Sequence, residues 1–180
     1  AATYTLQSGT LPTGVSLAAN GSLSGTPTAT GAFPITIRAT TGSGTLDLNT
    51  TITINQAPTP VDSTIDTGGI AGTPYSNQVS AAGYPTPSYS VTTGSLPNGV
   101  SLDANTGAIT GTPTTGGNFP FTISADNGVG SPVSFGSMYI MIVAAPIWTD
   151  QIVASARVGV PFTDAIIASG YPTPSYTKVS

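Results

Sequence analysis

The ionisable side chains of this chain are few, and they limit the chemistry that it could perform. Its 180 residues contain seven acidic residues, all of them Asp, together with three basic residues and no His or Cys. Without His, Cys or Glu, the remaining catalytic options are Ser/Lys chemistry using Lys178 or an Asp pair for glycoside cleavage. Neither option has a recognisable sequence neighbourhood, because almost every polar residue obeys an internal repeat. We therefore expect a protein that is not an enzyme.

Carboxylates and amides are also the side chains that calcium prefers in proteins. Within one copy of the repeat the candidates are Asp103, Asn105, Asp126 and Asn127, of which we retain the first three. No Asp-x-Asp pair occurs and Glu is absent, which disfavours a strong site built from protein ligands alone. We keep these three residues as weak calcium candidates and expect no other cofactor.

Aromatic side chains could stack on a sugar or pack at a junction between domains. Tyr84 and Tyr89 are separated by Pro-Thr-Pro-Ser, and the same pattern recurs later in the chain. Because each aromatic residue recurs at an equivalent place, packing in the core or between repeats is favoured over ligand stacking. Trp148 follows a repeat boundary and could fill a junction between neighbouring domains.

The charge balance argues against two classes of partner. Only 6% of the residues are charged and the net charge is -4. Three basic residues cannot neutralise a run of phosphates, so we expect no nucleic-acid partner. No apolar run is long enough to span a bilayer, so we expect no membrane span. The scarcity of charge suits an extracellular or cell-surface location.

An internal repeat organises the whole sequence. Residues 4–17 recur 85 positions later, and the Gly-Thr-Pro-Thr run that begins at Gly25 recurs 86 positions later. Residues 72–89 recur at a spacing of 87 as residues 159–176. Gly accepts positive φ and Pro fixes φ, so we interpret the repeated residues as turns that the fold requires. In the complete copy this repeat motif consists of Leu96, Pro97, Gly99, Leu102, Gly111, Thr112 and Pro113.

The repeat predicts three domains or parts of domains. Boundaries fall at Ala57-Pro58 and Ala145-Pro146, where an apolar strand end meets a proline that is expected to stop ladder pairing. Residues 1–57 would then be the C-terminal part of one unit, 58–145 a complete unit and 146–180 the N-terminal part of another. Such a chain is expected to be either an excerpt of a longer polypeptide or a subunit whose partial domains complete each other.

The local pattern is that of β-strands. Short runs rich in Val, Ile, Thr, Phe and Tyr are separated by Gly or Pro turns, which is typical of a two-sheet sandwich. No segment has an apolar 3.6-residue period with a helix cap, so we predict almost no helix. Strands in the complete unit are predicted at 62–67, 75–81, 87–93, 100–103, 107–110, 118–126 and 133–143. Inward-facing side chains are predicted at Val79, Tyr89, Val91, Leu102, Ile109, Phe121, Ile123 and Ile140.

Three consecutive motifs make the sequence resemble a known family. Leu-Pro-x-Gly-Val-x-Leu lies at 96–102, Thr-Gly-x-Ile-x-Gly-Thr-Pro at 106–113, and a strand containing Phe-x-Ile-x-Ala-x-Asn at 119–127. These motifs resemble the immunoglobulin-like domains, akin to cadherin-like and dystroglycan-type domains, that occur in tandem in large bacterial surface and secreted proteins. The first copy departs from the pattern with Thr40-Thr41 where the complete copy has Asp126-Asn127. The resemblance implies an all-β fold of tandem immunoglobulin-like β-sandwiches with repeats of about 87 residues.

The function that these observations favour is structural. We expect a non-catalytic repeat that forms the shaft of an extracellular fibre, stalk or giant adhesin. Its partners are expected to be adjacent immunoglobulin-like units of the same chain, or identical subunits in a homopolymer whose partial domains 1–57 and 146–180 complete each other. The alternative is a carbohydrate- or surface-binding module of a secreted enzyme or adhesin.

Overall fold

The structure is a computed structural model that describes residues 1–150 and 155–177. Every regular element in these residues is a β-strand, so the predicted all-β fold is confirmed. Within the same residues, no helix is long and apolar enough to cross a membrane. The strands are β1 (Thr3–Gly9), β2 (Val15–Leu17), β3 (Leu23–Gly25), β4 (Gly31–Thr41), β5 (Gly44–Ile54), β6 (Gln56–Asp62), β7 (Gly68–Ile70), β8 (Tyr75–Gln78), β9 (Ser80–Tyr84), β10 (Ser88–Gly94), β11 (Val100–Leu102), β12 (Ala108–Gly111), β13 (Gly117–Asp126), β14 (Val133–Trp148) and β15 (Ala168–Tyr171).

The chain forms two compact units, and each unit contains several segments. The first unit comprises Ala1–Thr59, Ala81–Pro87 and Asp126–Val133. The second unit comprises Pro60–Ser80, Ser88–Ala125 and Ser134–Ser180. These units are defined by spatial proximity, whereas the predicted domain boundaries are defined by sequence repetition, and those boundaries stay a prediction.

The first unit is built mainly from one antiparallel sheet. Strand β4 lies between β1 and β5, while β2 and β3 form a separate pair. A two-residue turn connects β4 to β5, since Thr41 pairs with Gly44. Alternate residues of β4 face the interior, where Ile35 and Ile37 are buried. Strand β6 pairs with β9 in a further two-stranded sheet.

The second unit contains two sheets. In the larger one the strand order is β10-β13-β14-β15, and β7 adds to β14 in parallel. The smaller sheet has the order β11-β12-β8. This arrangement is that of an immunoglobulin-like β-sandwich, in which each sheet turns one face towards the core.

The core of the second unit follows the predicted alternation. Val91 and Leu102 are half-buried, and the other six predicted positions are buried. Each aliphatic or aromatic side chain removed from water contributes roughly 1.5–3 kcal/mol before conformational entropy is subtracted. The buried apolar side chains of this unit are Tyr75, Val79, Tyr89, Ile109, Phe121, Ile123, Ala125, Phe135, Met138, Ile140 and Ile142.

The predicted strand at 62–67 is wrong. Residues 63–67 form no strand, although Thr67 O accepts a hydrogen bond from Met141 N at 2.8 Å. The Asp62 carboxylate accepts a hydrogen bond from Thr64 N at 2.9 Å, and the Asp66 carboxylate accepts one from Gly68 N at 3.1 Å. Asp is among the residues whose side chains favour such turns over a strand.

The expectation that proline ends the strand at a repeat boundary is also wrong. Strand β14 continues through Pro146 to Trp148, and Pro58 lies within β6. Pro has no N–H to donate, so a ladder must deviate where Pro occurs. The pairing of β14 with β15 shifts register between Ala144 and Ile147, which accommodates the proline.

Candidate functional site

The repeat motif of the second unit joins two turns, residues 97–100 and 111–114, which we name the motif clasp. Thr112 N donates a hydrogen bond to Gly99 O at 3.0 Å and thereby links the two turns. Among the motif residues, Pro97 and Pro113 are fully buried, Leu96 and Leu102 are half-buried, and Thr112 is exposed. The prolines and leucines therefore anchor the clasp in the core.

Gly99 and Gly111 allow the two turns of the motif clasp to approach closely. Gly111 has φ of +147°, and a Cβ added there would overlap the Gly99 carbonyl oxygen and lie 2.8 Å from Val100 Cα. Both the backbone conformation and the contact therefore require glycine. The first copy has the same arrangement, in which an added Cβ at Gly25 would overlap the carbonyl oxygen of Gly14.

The calcium candidates Asp103 and Asn105 lie in the turn between β11 and β12. The Asp103 carboxylate accepts hydrogen bonds from Asn105 N at 2.8 Å and from Thr106 N at 3.0 Å. These backbone bonds, that of Asn105 first, favour the charged form and lower the pKa of Asp103 from its ordinary value of 3.8. The carboxylate thus caps a turn.

The third calcium candidate, Asp126, also caps a turn, since its carboxylate accepts a hydrogen bond from Gly128 N at 2.9 Å. Among residues 1–150 and 155–177, no group of three or more Asp, Glu, His or Cys side chains could hold a metal ion. Asp126 belongs to the first unit and Asp103 to the second. The three candidates therefore do not form one described cluster.

The neighbouring Asn127 joins three segments of the first unit. Its Nδ2 donates hydrogen bonds to Gln56 O at 2.8 Å and to Pro85 O at 2.7 Å. We name this arrangement the Asn127 clasp, and it lies where the chain crosses a predicted repeat boundary. Sequence reasoning placed Asn127 in a family motif but missed its contacts. The signal available was its replacement by Thr41 in the first copy.

The aromatic candidates Tyr84 and Tyr89 have different surroundings. Tyr89 is 7% exposed, and its ring centroid lies 6.1 Å from that of Phe135. A buried ring cannot stack on a ligand at the surface, so Tyr89 is a core residue and the stacking interpretation does not apply to it. Tyr84 is half-buried at the end of β9, next to a cis peptide bond with Pro85.

Trp148, the remaining aromatic candidate, is 67% exposed. Its ring centroid lies 6.4 Å from that of Tyr176, which the repeat indicates as a possible stacking residue but not as a neighbour of Trp148. Both rings line a cleft of about 230 Å³ together with Pro146, Pro174 and Ser175. Two neighbouring aromatic faces are a surface that could pack against protein or against a sugar ring.

The end of β14 forms a packed junction with β15. Ala144 pairs with Tyr171 and Trp148 pairs with Ala168. Gly116 lies against this junction, where an added Cβ would be 2.6 Å from Tyr171 Cβ and 2.8 Å from Ala144 Cβ. The chain beyond Pro146 is therefore held to the second unit by both backbone pairing and close packing.

The first unit exposes an apolar groove of about 470 Å³. Leu46 is 75% exposed and Leu48 is 59% exposed, and both lie on β5, an outer strand of the three-stranded sheet. Leucines exposed side by side on a sheet face are a common mark of a surface that binds protein. The groove is lined by Tyr4, Gly21, Leu23, Ile37, Ala39, Leu46, Leu48 and Thr50.

The carboxylates offer little support for acid catalysis. Hydrogen bonds lower the pKa of Asp47, chiefly from Arg38, and that of Asp62, chiefly from Thr64. A general acid needs the opposite shift, which keeps its proton near neutral pH. Lys178, which sequence reasoning considered for Ser/Lys chemistry, lies outside the described residues.

A known family accounts for most of the sequence. The family described as “Putative Ig domain” matches residues 1–55 and, in a second stretch, residues 57–143. No curated protein matches the chain. The family pattern therefore occurs twice in this chain, and its second occurrence contains the motif clasp.

Solved structures with a similar fold come from several kinds of protein. A “putative alpha-galactosidase” from Bacteroides fragilis is 26% identical, with a TM-score of 0.40, over 48% of this chain and 18% of that one. An endo-fucoidan hydrolase of glycoside hydrolase family 107 is 20% identical, with a TM-score of 0.40, over 82% and 26%. Extracellular domains 3-5 of Drosophila OTK are 16% identical, with a TM-score of 0.44, over 81% and 51%. The chain spans 18% of the length of the first of these proteins.

Proposed function

Because this chain belongs to the family described as “Putative Ig domain”, we propose that it is a structural repeat in the shaft of an extracellular fibre, stalk or giant adhesin. The observation that carries this proposal is the continuity of β14, which runs from Val133 through Pro146 to Trp148. A shaft must limit bending where one domain follows another. A strand that continues past a predicted repeat boundary and pairs with the following segment supports that role.

Packing at the repeat boundaries supports the same proposal. Gly116 leaves room for Tyr171 and Ala144 to approach at the β14–β15 junction of the second unit. In the first unit the Asn127 clasp fixes the backbone at Gln56, next to the predicted boundary at Ala57-Pro58. The close packing at Gly116 and the hydrogen bond of Asn127 both hold the connecting chain in place, which a spacer requires.

The proposed function is non-catalytic. The pKa directions of Asp47, Asp62 and Asp103 favour the charged form, and these side chains are engaged in an ion pair or in turns. The sequence has no Cys or His to serve as nucleophile or base. These observations support a role that depends on shape and stability instead of reaction chemistry.

The proposal is tested by locating the polypeptide on intact cells that express it. We would label the native material with antibodies against residues 84–94 and image it by electron microscopy, with the denatured mass of the labelled polypeptide measured in parallel. We expect the label along thin fibres or stalks outside the cell. Label confined to the cell interior, or to compact particles without a shaft, would show that the proposal is wrong.

A carbohydrate-binding module is the second candidate, and the exposed Trp148–Tyr176 pair favours it. The structural role is preferred because Tyr89, the counterpart of Tyr176 in the complete repeat, is buried in a domain core. A glycan-array experiment with the whole chain distinguishes the two candidate functions. Binding that Trp148→Ala abolishes and Tyr139→Ala, an exposed control, preserves would favour the second candidate.

A further inference from the structure

The Asn127 clasp contains the groups that a self-modification reaction requires. We propose that Asn127 deamidates by attack of the Gly128 backbone nitrogen, with Asp126 as the base, and that the product releases the clasp. Asn127 and Gly128 are adjacent in sequence, so a bond between Gly128 N and Asn127 Cγ closes a succinimide ring. The reaction occurs once in each chain and consumes only water.

The Gly128 nitrogen, which is the nucleophile of this reaction, is paired with a carboxylate. Its N–H donates a hydrogen bond to Asp126 Oδ1 at 2.9 Å. A carboxylate at that distance can accept the proton as a general base, which a peptide carbonyl cannot do. Gly128 has no side chain, and a Cβ built there would have nothing within 4 Å, so its nitrogen is sterically open.

The Asn127 side chain is held in an orientation that favours the attack. Its Oδ1 accepts a hydrogen bond from Val129 N at 3.1 Å, and this Asx turn folds the side chain over the Gly128 peptide. The tetrahedral intermediate carries negative charge on Oδ1, and a backbone N–H directed at that oxygen stabilises the charge. Residues 126–129 thus supply a nucleophile, a base and an oxyanion donor.

The atoms of the reaction balance without any reagent other than water. The bond from Gly128 N to Asn127 Cγ forms, and the Cγ–Nδ2 bond of Asn127 breaks. Asp126 takes up the Gly128 amide proton, which then leaves on the departing nitrogen as part of ammonia. Water opens the succinimide at either carbonyl and gives aspartate or isoaspartate, and Asp126 is again a carboxylate.

The fold of the repeat does not by itself require these residues. In the first copy, Thr40-Thr41 stands where the complete copy has Asp126-Asn127, and the next residue is again glycine, Gly42. Strands β4 and β5 of that copy pair along their whole length without the Asp and Asn side chains. The clasp and its reactive step are therefore an addition to the repeat.

The product of deamidation loses the contacts that define the clasp. Nδ2 of Asn127, the atom that departs, donates to Gln56 O at 2.8 Å and to Pro85 O at 2.7 Å. The new carboxylate has no proton to donate and presents negative charge to both carbonyl oxygens. Isoaspartate would also add a methylene to the backbone between β13 and β14. The backbone at Gln56 is then released irreversibly.

The chain contains a matched control for this reaction, the Asn20-Gly21 step. Asn20 Oδ1 also accepts a hydrogen bond from the nitrogen two residues ahead, Ser22 N, at 3.0 Å. Gly21 N, however, donates to the carbonyl oxygen of Ala18 at 2.9 Å, which cannot act as a base. The two Asn-Gly steps therefore share the Asx turn and differ in the carboxylate and in the clasp.

The experiment incubates the full 180-residue chain at neutral pH and follows deamidation at each Asn by mass spectrometry of its peptides. We expect Asn127 to react at least about tenfold faster than Asn20, which is less than a general base commonly contributes. Asp126→Asn keeps an acceptor for Gly128 N but removes the base. That variant should slow the reaction at Asn127 about tenfold and leave the reaction at Asn20 unchanged. Asp103→Asn, at another turn-capping carboxylate, should change neither rate.

A second pair of variants keeps Asp126 and alters the nucleophile. Gly128→Ala places a methyl group beside the attacking nitrogen and should slow the reaction at Asn127. Gly136→Ala is the matched control, because both glycines have positive φ, +73° and +83°, and neither has an atom within 4 Å of an added Cβ. Equal slowing in the two variants would show that Gly128 N is not the nucleophile.

Two further results would overturn the inference. A rate at Asn127 equal to or below that at Asn20, or one that Asp126→Asn leaves unchanged, would reject Asp126 as the base. Hydrogen exchange across β6 and β9 tests release of the clasp, and we expect it to accelerate in proportion to the deamidated fraction. Exchange that stays constant while Asn127 is converted would show that the product keeps the clasp closed.

Discussion

Individual residues of the motif clasp explain why both copies of the repeat have the same glycines and prolines at these positions. Gly99 and Gly111 face each other so closely that a methyl group at either would meet a backbone carbonyl. Pro97 and Pro113 fill fully buried positions beside them. The motif thus combines two requirements, a positive φ and a lack of volume, that only glycine meets together.

Gly111→Ala is therefore expected to destabilise the chain strongly. The substitution adds the cost of a positive φ for a non-Gly residue, about 1–2 kcal/mol, to a backbone overlap that requires the clasp to move. The matched control is Gly136→Ala, because Gly136 has φ of +83° but nothing within 4 Å of an added Cβ. Urea unfolding should give a larger loss of the free energy of unfolding for Gly111→Ala. Equal losses would show that the close contact has no effect.

The lowered pKa of Asp103 predicts how the free energy of unfolding changes in acid. Its pKa is lower in the folded chain than its ordinary value of 3.8, so its contribution is present above that value and is lost as the pH falls through the folded pKa. Asp103→Asn keeps an oxygen that can accept the turn hydrogen bonds but cannot titrate. Between about pH 5 and pH 2 we expect the variant to lose less stability than the unsubstituted chain. Unfolding midpoints that fall in parallel would contradict this assignment.

The residues that the sequence could not place are those whose partners are distant along the chain. Asp103 caps a turn two residues ahead, which is a local property that a sequence can suggest. Asn127 bonds to a carbonyl 71 residues away, and no local pattern indicates that contact. The strand pattern predicts that Tyr89 faces inward, and its ring is buried, but no local pattern indicates its contact with Phe135.

At the scale of the strands, the alternation of apolar residues predicts the buried face correctly, whereas proline predicts a strand end that the structure does not have. The pattern of Phe121, Ile123 and Ala125 predicts one buried face, and all three side chains are buried in β13. Pro146 suggested an end to pairing, but the strand continues because a register shift bypasses the missing N–H. Residues 63–67 looked like a strand by composition, while side-chain caps from Asp62 and Asp66 turn the chain there.

The Asn127 clasp predicts how firmly the connecting strand is held. Asn127→Ala removes two donors, each worth about 1 kcal/mol net, and leaves the carbonyls of Gln56 and Pro85 without them. Asn127→Asp places a carboxylate against the same carbonyls, and we expect it to destabilise the clasp more than Asn127→Ala does. Hydrogen exchange measured across β6 and β9 should accelerate in both variants. The control is Asn105→Ala, which alters an exposed turn. Exchange rates in the Asn127 variants equal to those of the control would show that the clasp does not hold these strands.

Across the whole molecule, stability depends on apolar burial and backbone pairing more than on charge. The Arg38–Asp47 ion pair has N–O distances of 2.7 and 2.8 Å but lies at the surface. Ion pairs in that setting contribute little and are weakened by salt. Since 6% of the residues are charged, long-range electrostatics should be weak as well.

We therefore expect thermal unfolding to be nearly independent of ionic strength. Raising NaCl from about 10 to 200 mM shortens the screening length from roughly 30 to 7 Å and should move the unfolding temperature by no more than about 2 °C. Differential scanning calorimetry of the full chain checks this expectation. A decrease of many degrees would show that charge pairs stabilise the fold after all, and Arg38→Ala would then test the Arg38–Asp47 pair.

The parallel pairing of β7 with β14 has a consequence for a chain under tension. Residues 68–70 lie beside residues 141–143 in parallel, with flanking bonds from Met141 N to Thr67 O and from Ala71 N to Val143 O. The chain enters this pair at the start of β7 and leaves it at the end of β14, so a pull on both sides drags the strands past each other. Their hydrogen bonds then share the load and must break together. The antiparallel β14–β15 pair has both loaded ends on one side, and its bonds can peel apart one by one. In a stretched shaft of such repeats, the β14–β15 pair would therefore separate at a lower force than the β7–β14 pair.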